Sequence, residues 1–239
     1  MTLFTGIVAV ALASVHLAAG RVRAFRSIPR NYWLSIAGGA SVAYVFVHIL
    51  PDLKGGTILE SVPLLAGFFE RHVYLVALVG FSLFYGMERL AEETGRHVDV
   101  RPEVNMSVFW IHTGAFTVYN MLIGYLLVHR EQPGTVGLLL YATAMGLHFI
   151  VNDYGLRKHH RNTYDRIGRW VLAAAVVVGW GIGINTHVDE AVVNTLFAFL
   201  AGGVILNVIK EELPEERRSR FWAFAAGAGS YSAILLFVT

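Results

Sequence analysis

The sequence predicts an all-α membrane protein with eight transmembrane helices. Three observations carry that prediction. Hydrophobic residues make up 55% of the chain and charged residues only 15%, giving a mean hydropathy of +0.54. Eight apolar stretches are long enough to cross a bilayer, which takes about 20 residues. Lysine and arginine then fall almost wholly into alternate connections between those stretches.

The spans lie near 2–20, 32–51, 72–91, 105–129, 134–156, 167–186, 190–210 and 220–238. They form a single polytopic domain over 1–239, with a first repeat over 1–92, a central helix pair over 104–157 and a second repeat over 165–239. The stretch Met1–Gly20 has no charged region ahead of its apolar run. It therefore reads as the first span and not as a signal peptide. The longest connection, about 52–71, contains the apolar run VPLLAGFF and reads as an interfacial segment or short packed helix.

Connections after odd-numbered spans hold 16 of the 19 Lys and Arg residues, from Arg21 and Arg23 to Arg218 and Arg220. The other side has Lys54, Arg71 and Arg130. The positive-inside rule puts the basic side in the cytoplasm and both termini outside, in a multi-pass protein of the cell membrane. The basic isoelectric point of 8.9 is thus a matter of topology and gives no reason to expect nucleic acid as a partner. With no cysteine, disulfides and thiolate metal sites are excluded.

Two segments 163 residues apart read alike: Gly39–Asp52 is GASVAYVFVHILPD and Gly202–Glu215 is GGVILNVIKEELPE. Each is an apolar helix opening on glycine and closing on a Leu-Pro-acid corner. Spans 2 and 7 run in opposite directions, so the repeat is inverted. This gives halves 1–3 and 6–8 around spans 4 and 5, a 3+2+3 arrangement of the kind that supplies alternating gates in transporters.

Ionisable groups in mid-membrane are costly and mark functional sites. Span 4 carries His112, Thr113, Thr117 and Asn120 at helical spacing. Span 5 carries His148 and Asn152, four residues apart, and then Asp153. Imidazole, amide and carboxylate ligands suit a divalent cation such as Zn²⁺, Mn²⁺ or Fe²⁺. The plainer reading makes each of these a hydrogen-bonding link between helices. His16 and His48 read as structural or interfacial, and His159 and His160 as solvated loop residues. Glu88 reads as a local partner of Arg89. Gly179, Gly181, Gly183, Gly202 and Gly203 read as close helix contacts.

The phrases VHILPD (Val47–Asp52) and EELPE (Glu211–Glu215) on spans 2 and 7, with polar motifs on spans 4 and 5, resemble the ZIP (Zrt/Irt-like) family of divalent-metal transporters. The resemblance implies eight spans, outside termini, the 3+2+3 arrangement and a metal site on spans 4 and 5. Its ligands here would be His148, Asn152, Asp153 and Asn120, with His112 alongside. Tyr119, Ile123 and Phe149 stand where the family has metal ligands, and Leu122 and Val151 where it has prolines. A carboxylate-bridged two-metal site is thereby lost.

The function these readings imply is non-enzymatic: transport of a divalent metal cation by alternating access, through a reduced site. The alternative keeps the scaffold without the metal, acting on an organic solute or serving as a non-transporting sensor or partner subunit. A third reading is an intramembrane metal hydrolase using His112, His148 and either His16 or His48. No tightly bound cofactor is implied. The expected partners are membrane lipid and the metal ion as substrate, with a homodimer as a candidate assembly.

Overall fold

A chain in lipid has no water to satisfy its backbone, so it forms helices. A computed structural model describes residues 2–18, 30–51, 73–96, 102–129, 134–212 and 220–238, and side chains at most of these positions. Among the described residues there are eight helices and no strand: α1 (Thr2–Ala18), α2 (Arg30–Tyr44), α3 (Val73–Arg96), α4 (Pro102–Leu126), α5 (Thr135–Thr163), α6 (Arg169–Asn185), α7 (Glu190–Glu212) and α8 (Phe221–Val238). Two π-helical segments complete the set, Val45–Ile49 at the end of α2 and Tyr164–Gly168 between α5 and α6. The eight expected stretches each coincide with a helix.

Among the described residues, five segments are long and apolar enough to cross a membrane by length and composition: Tyr32–Ile49, Thr135–Arg157, Tyr164–Asn185, Val192–Lys210 and Phe221–Val238. Helix α1 is apolar but has 17 residues. Helices α3 and α4 are long, with 24 and 25 residues. Charge dilutes α3 towards its C-terminus, and the polar stripe dilutes α4. The protein is an all-α, multi-pass membrane protein.

Neighbouring residues fix the helix directions. Leu12 lies against Gly146 and His16 against Phe149, so α1 and α5 run together. Trp180 of α6 meets Thr5 near the start of α1, so α6 runs the other way. Ser41 donates to the Ala144 carbonyl and Tyr44 meets Tyr141, which sets α2 against α5. Glu88 meets His112 while Phe84 meets Tyr119, which sets α3 against α4. With α8 along α2 and α7 along α3, every odd helix points one way and every even helix the other.

Three parallel pairs are closed by reciprocal glycines. A Cβ on Gly39 of α2 would strike the Phe224 carbonyl of α8, and one on Gly227 would strike the Ile36 carbonyl. Gly80 of α3 faces Phe199 of α7 in the same way, and Gly202 faces Ala77. Gly124 of α4 faces Val176 of α6, and Gly179 faces Met121. In each pair the glycine meets the backbone three residues before the partner glycine. Lipid gives apolar helices no hydrophobic reason to associate, so backbone approach and dispersion have to hold them. The packing expected for Gly179, Gly183, Gly202 and Gly203 is present, whereas Gly181 faces open space.

One expected loop is instead helical. The chain stays helical through Thr163 and then π-helical to Gly168, where the sequence reading placed a connection after 156. The direction nevertheless reverses between Arg157 and Arg169, because α6 runs back along α1. Arg157 and Asp165 pair across this turn at 2.8 Å, and Gly168 leaves room for the Tyr164 ring, 2.8 Å from where a Cβ would sit. The acidic corners at Asp52 and Leu213–Glu215 and the 52–71 segment lie outside the described residues.

Candidate functional site

Helices α1, α4 and α5 converge on one buried polar cluster. His16, in the last turn of α1, puts Nδ1 2.8 Å from Asp153 Oδ1, and both side chains are 0% exposed. The amide Nδ2 of Asn120 lies 3.3 Å from His16 Nε2. This arrangement sets the tautomer: Nδ1–H donates to the carboxylate, and Nε2 carries the lone pair that accepts from Asn120. The Phe149 ring packs against the His16 ring, tilted by 36° with centroids 4.3 Å apart. His148 is close enough to His16 to interact with it electrostatically, and its ring lies 5.5 Å from that of Tyr119.

The cluster holds more hydrogen-bonding capacity than it uses. Both ring nitrogens of His148, Oδ1 of Asn120, Nδ2 of Asn152 and Oδ2 of Asp153 are buried without a hydrogen-bond partner in the protein. Each such atom costs roughly 1–3 kcal/mol. Unpaired buried atoms of this kind are positions where an ordered water or another polar group is accommodated.

Of the five expected ligands, the structure brings Asn120 and Asp153 together on His16, with His148 beside them. Asn152 is buried on the same helix. His112 is elsewhere. It lies eight residues before Asn120, about 12 Å along α4, and its Nε2 is 3.4 Å from Glu88 Oε2. Glu88 in turn receives Lys210 Nζ at 2.8 Å. The Glu88–Arg89 pairing expected from adjacency is replaced by these contacts from α4 and α7, because consecutive helix residues do not face one another. Among the described residues no three His, Asp or Glu side chains converge as a metal ion would need. The three-histidine hydrolase reading fails with His112, which is too far along α4.

Two participants escaped the sequence reading. His16 reads as structural or interfacial in the sequence, yet it is the hub of the cluster. Its signal was a lone histidine in the last turn of an otherwise apolar helix. Tyr164, 1% exposed, reaches in from the π-segment and interacts with Asp153. Its basic surroundings suggest a loop, and no motif marks it.

No family model matches the chain. The chain is similar to GPI mannosyltransferase 3 of Drosophila melanogaster, 23% identical over 232 residues that cover 86% of this chain and 40% of that protein. It thus spans about two fifths of the length of the curated relative it matches. That protein carries an enzyme's name and not a carrier's. The comparison overturns the ZIP resemblance and with it the transporter assignment, both substrate classes attached to it, and the non-enzymatic reading.

Proposed function

We propose that the chain is a multi-pass membrane enzyme that transfers a glycosyl group to a hydroxyl acceptor, with the His16–Asp153 pair as its general base. The observation that carries this reading is the buried pair itself. An aspartate on Nδ1 orients the imidazole and stabilises the cation formed when Nε2 takes a proton. An acceptor hydroxyl displaces the long Asn120 contact and gives its proton to Nε2. Its oxygen bonds to the anomeric carbon as the bond to the leaving group breaks. His148, Asn120 and Asn152 offer unpaired donors and acceptors to a hydroxyl-rich sugar. The similarity to a protein named as a mannosyltransferase supports the reaction class, and mannose is the sugar to try first.

The test uses the full chain in lipid nanodiscs. Labelled mannose is supplied on a nucleotide or on a lipid phosphate, with glycerolipid acceptors. Transfer that His16→Ala lowers by at least a hundredfold is the expected result. No transfer from either donor, or transfer indifferent to His16, would overturn the proposal.

The same reading has all eight helices crossing the bilayer in a 3+2+3 arrangement, with lipid around them, the arginine-rich turns cytoplasmic and both termini outside. The glycine crossings support inverted halves. Exchanging α2 with α7 and α3 with α8 carries the Gly39–Gly227 crossing onto Gly202–Gly80, and Gly39 aligns with Gly202 in the sequence repeat. The chain has no cysteine, so single cysteines report sidedness cleanly. R166C and T186C should label from opposite faces with an impermeant maleimide; labelling from one face would sink the topology.

A further inference from the structure

A small chamber lies between α3, α4 and α7, on the other side of Tyr119 from the polar cluster. Its volume is about 20 Å³, and Glu88, His112, Asn207 and Lys210 line its polar end. Glu88 and Lys210 are 17% and 23% exposed, so this end meets the surface. Phe84, Phe116 and Gly203 line the other end. The three helices agree on depth. From Glu88 to Phe84, from His112 to Phe116 and from Lys210 to Gly203, each step leads away from the exposed end.

A water needs roughly 10–15 Å³ and about two to four polar partners. The chamber has that room. It also has the partners, because Asn207 is buried, its Nδ2 has no hydrogen-bond partner in the protein, and the Glu88 carboxylate lines the same space.

Tyr119 closes the inner end. Its ring meets Phe84 edge-on with centroids 5.0 Å apart and Phe116 at 6.4 Å. On its other side the His148 ring is 5.5 Å away. One buried ring thus separates the chamber from a histidine whose two ring nitrogens are both unpaired. The ring is held lightly. Its hydroxyl donates to the Leu200 carbonyl over 3.3 Å, longer than the roughly 2.5–3.0 Å usual for a hydroxyl donor. Gly203 lets the ring lie where it does: a Cβ there would be 2.7 Å from Tyr119 and 3.2 Å from Phe84.

We propose that the chamber between α3, α4 and α7 is a water site, the outer stage of the route by which water reaches the His148–His16 cluster, with Tyr119 as its gate. When the long bond to Leu200 breaks, the ring turns aside and a water passes from the Asn207 end to His148. The chamber is sized for water, and a sugar does not fit it. The proposal rests on the general-base reading only for its purpose, which is to keep the base in contact with solvent. Its test needs no turnover.

The experiment follows exchange of the His148 ring N–H of the full chain in lipid after transfer into D₂O, by ¹⁵N resonances assigned through their loss in His148→Asn. Ala115→Val narrows the chamber, which Ala115 also lines, and should slow exchange at least tenfold. Slowing is an effect that mere loosening of the fold does not produce. Tyr119→Phe removes the bond to Leu200 and should speed exchange at least threefold. Tyr231→Phe serves as control: its hydroxyl donates to the Leu140 carbonyl, away from the chamber, and its exchange should match the unmodified protein. If Ala115→Val does not fold, Asn207→Leu keeps the side-chain size, removes the buried polar partner and should slow exchange in its place. Exchange no slower in a folded Ala115→Val or Asn207→Leu protein overturns the route. Exchange as fast in Tyr231→Phe as in Tyr119→Phe overturns the gate. Unchanged exchange beside His16-dependent transfer would sink the route and leave the base standing. Slowed exchange in a protein without transfer would do the reverse.

Discussion

The protein buries two polar clusters that differ in how much of their bonding is spent. In the first, His16, Asn120, His148, Asn152 and Asp153 are all under 3% exposed and hold five unpaired atoms. In the second, Glu88 takes both Lys210 and His112 and is 17% exposed. The second is a clamp: an acid held by a lysine and a histidine from two other helices, close to water. The first keeps donors and acceptors idle in the driest part of the molecule, where idle groups are most expensive. A clamp and a reactive site use the same residue types and are told apart by unpaired capacity.

The largest expected effect falls on the first cluster. Asp153→Ala should abolish glycosyl transfer by a hundredfold or more and destabilise the protein by roughly 1–3 kcal/mol, because His16 loses its partner in a dry interior. Glu88→Gln should leave transfer within about threefold. Transfer assays and unfolding in detergent check both, and comparable losses of transfer would erase the distinction between the two clusters.

A second test attacks the clamp through its scaffold. Gly80 and Gly202 form the α3–α7 crossing, and eight residues on in each parallel helix stand Glu88 and Lys210. Gly202→Ala forces the helices apart at the Ala77 carbonyl. It should cost about 1–3 kcal/mol and abolish any further loss from Lys210→Ala. An additive loss in the double variant would separate crossing from clamp.

Double-mutant cycles sharpen the contrast further. His16 and Asp153 should couple by roughly 1–3 kcal/mol, and Glu88 and Lys210 by about 0.5–1 kcal/mol, falling in high salt. Equal couplings would mean the two sites differ only in depth. The smallest effect belongs to Gly181, on a helix that Gly179 closes against α4. Gly181→Ala meets open space and should leave stability unchanged or raise it by up to about 1 kcal/mol, measured by the same unfolding assay.

The helices were legible because apolar length is a property of local sequence, and the alternating directions follow from the arginine-rich connections. Asn120, His148, Asn152 and Asp153 were legible as costly polar groups within apolar spans. What they do was not, because that depends on His16, whose partner Asp153 is 137 residues away. Glu88 was misread for the same reason: its neighbour in sequence was visible and its neighbours in space were not. The helical turn at Tyr164–Gly168 is not legible because the basic stretch around it, from Arg157 to Arg169, looks like a loop, and its shape depends on Tyr164 fitting over a glycine.

The span between His16 and Asp153 also bears on how the chain is made. Synthesis proceeds at about 5–20 residues per second, so the 137 residues that separate them take roughly 7–27 s to emerge. Throughout that interval α1 is in or at the bilayer with an unanswered imidazole two residues from its end. Such a side chain is cheapest at the headgroups, within reach of water. Helix α1 therefore enters the bundle as a late guest: it sits shallow or tilted until α5 arrives, and the hydrogen bond that joins His16 to Asp153 is also the event that seats the first helix.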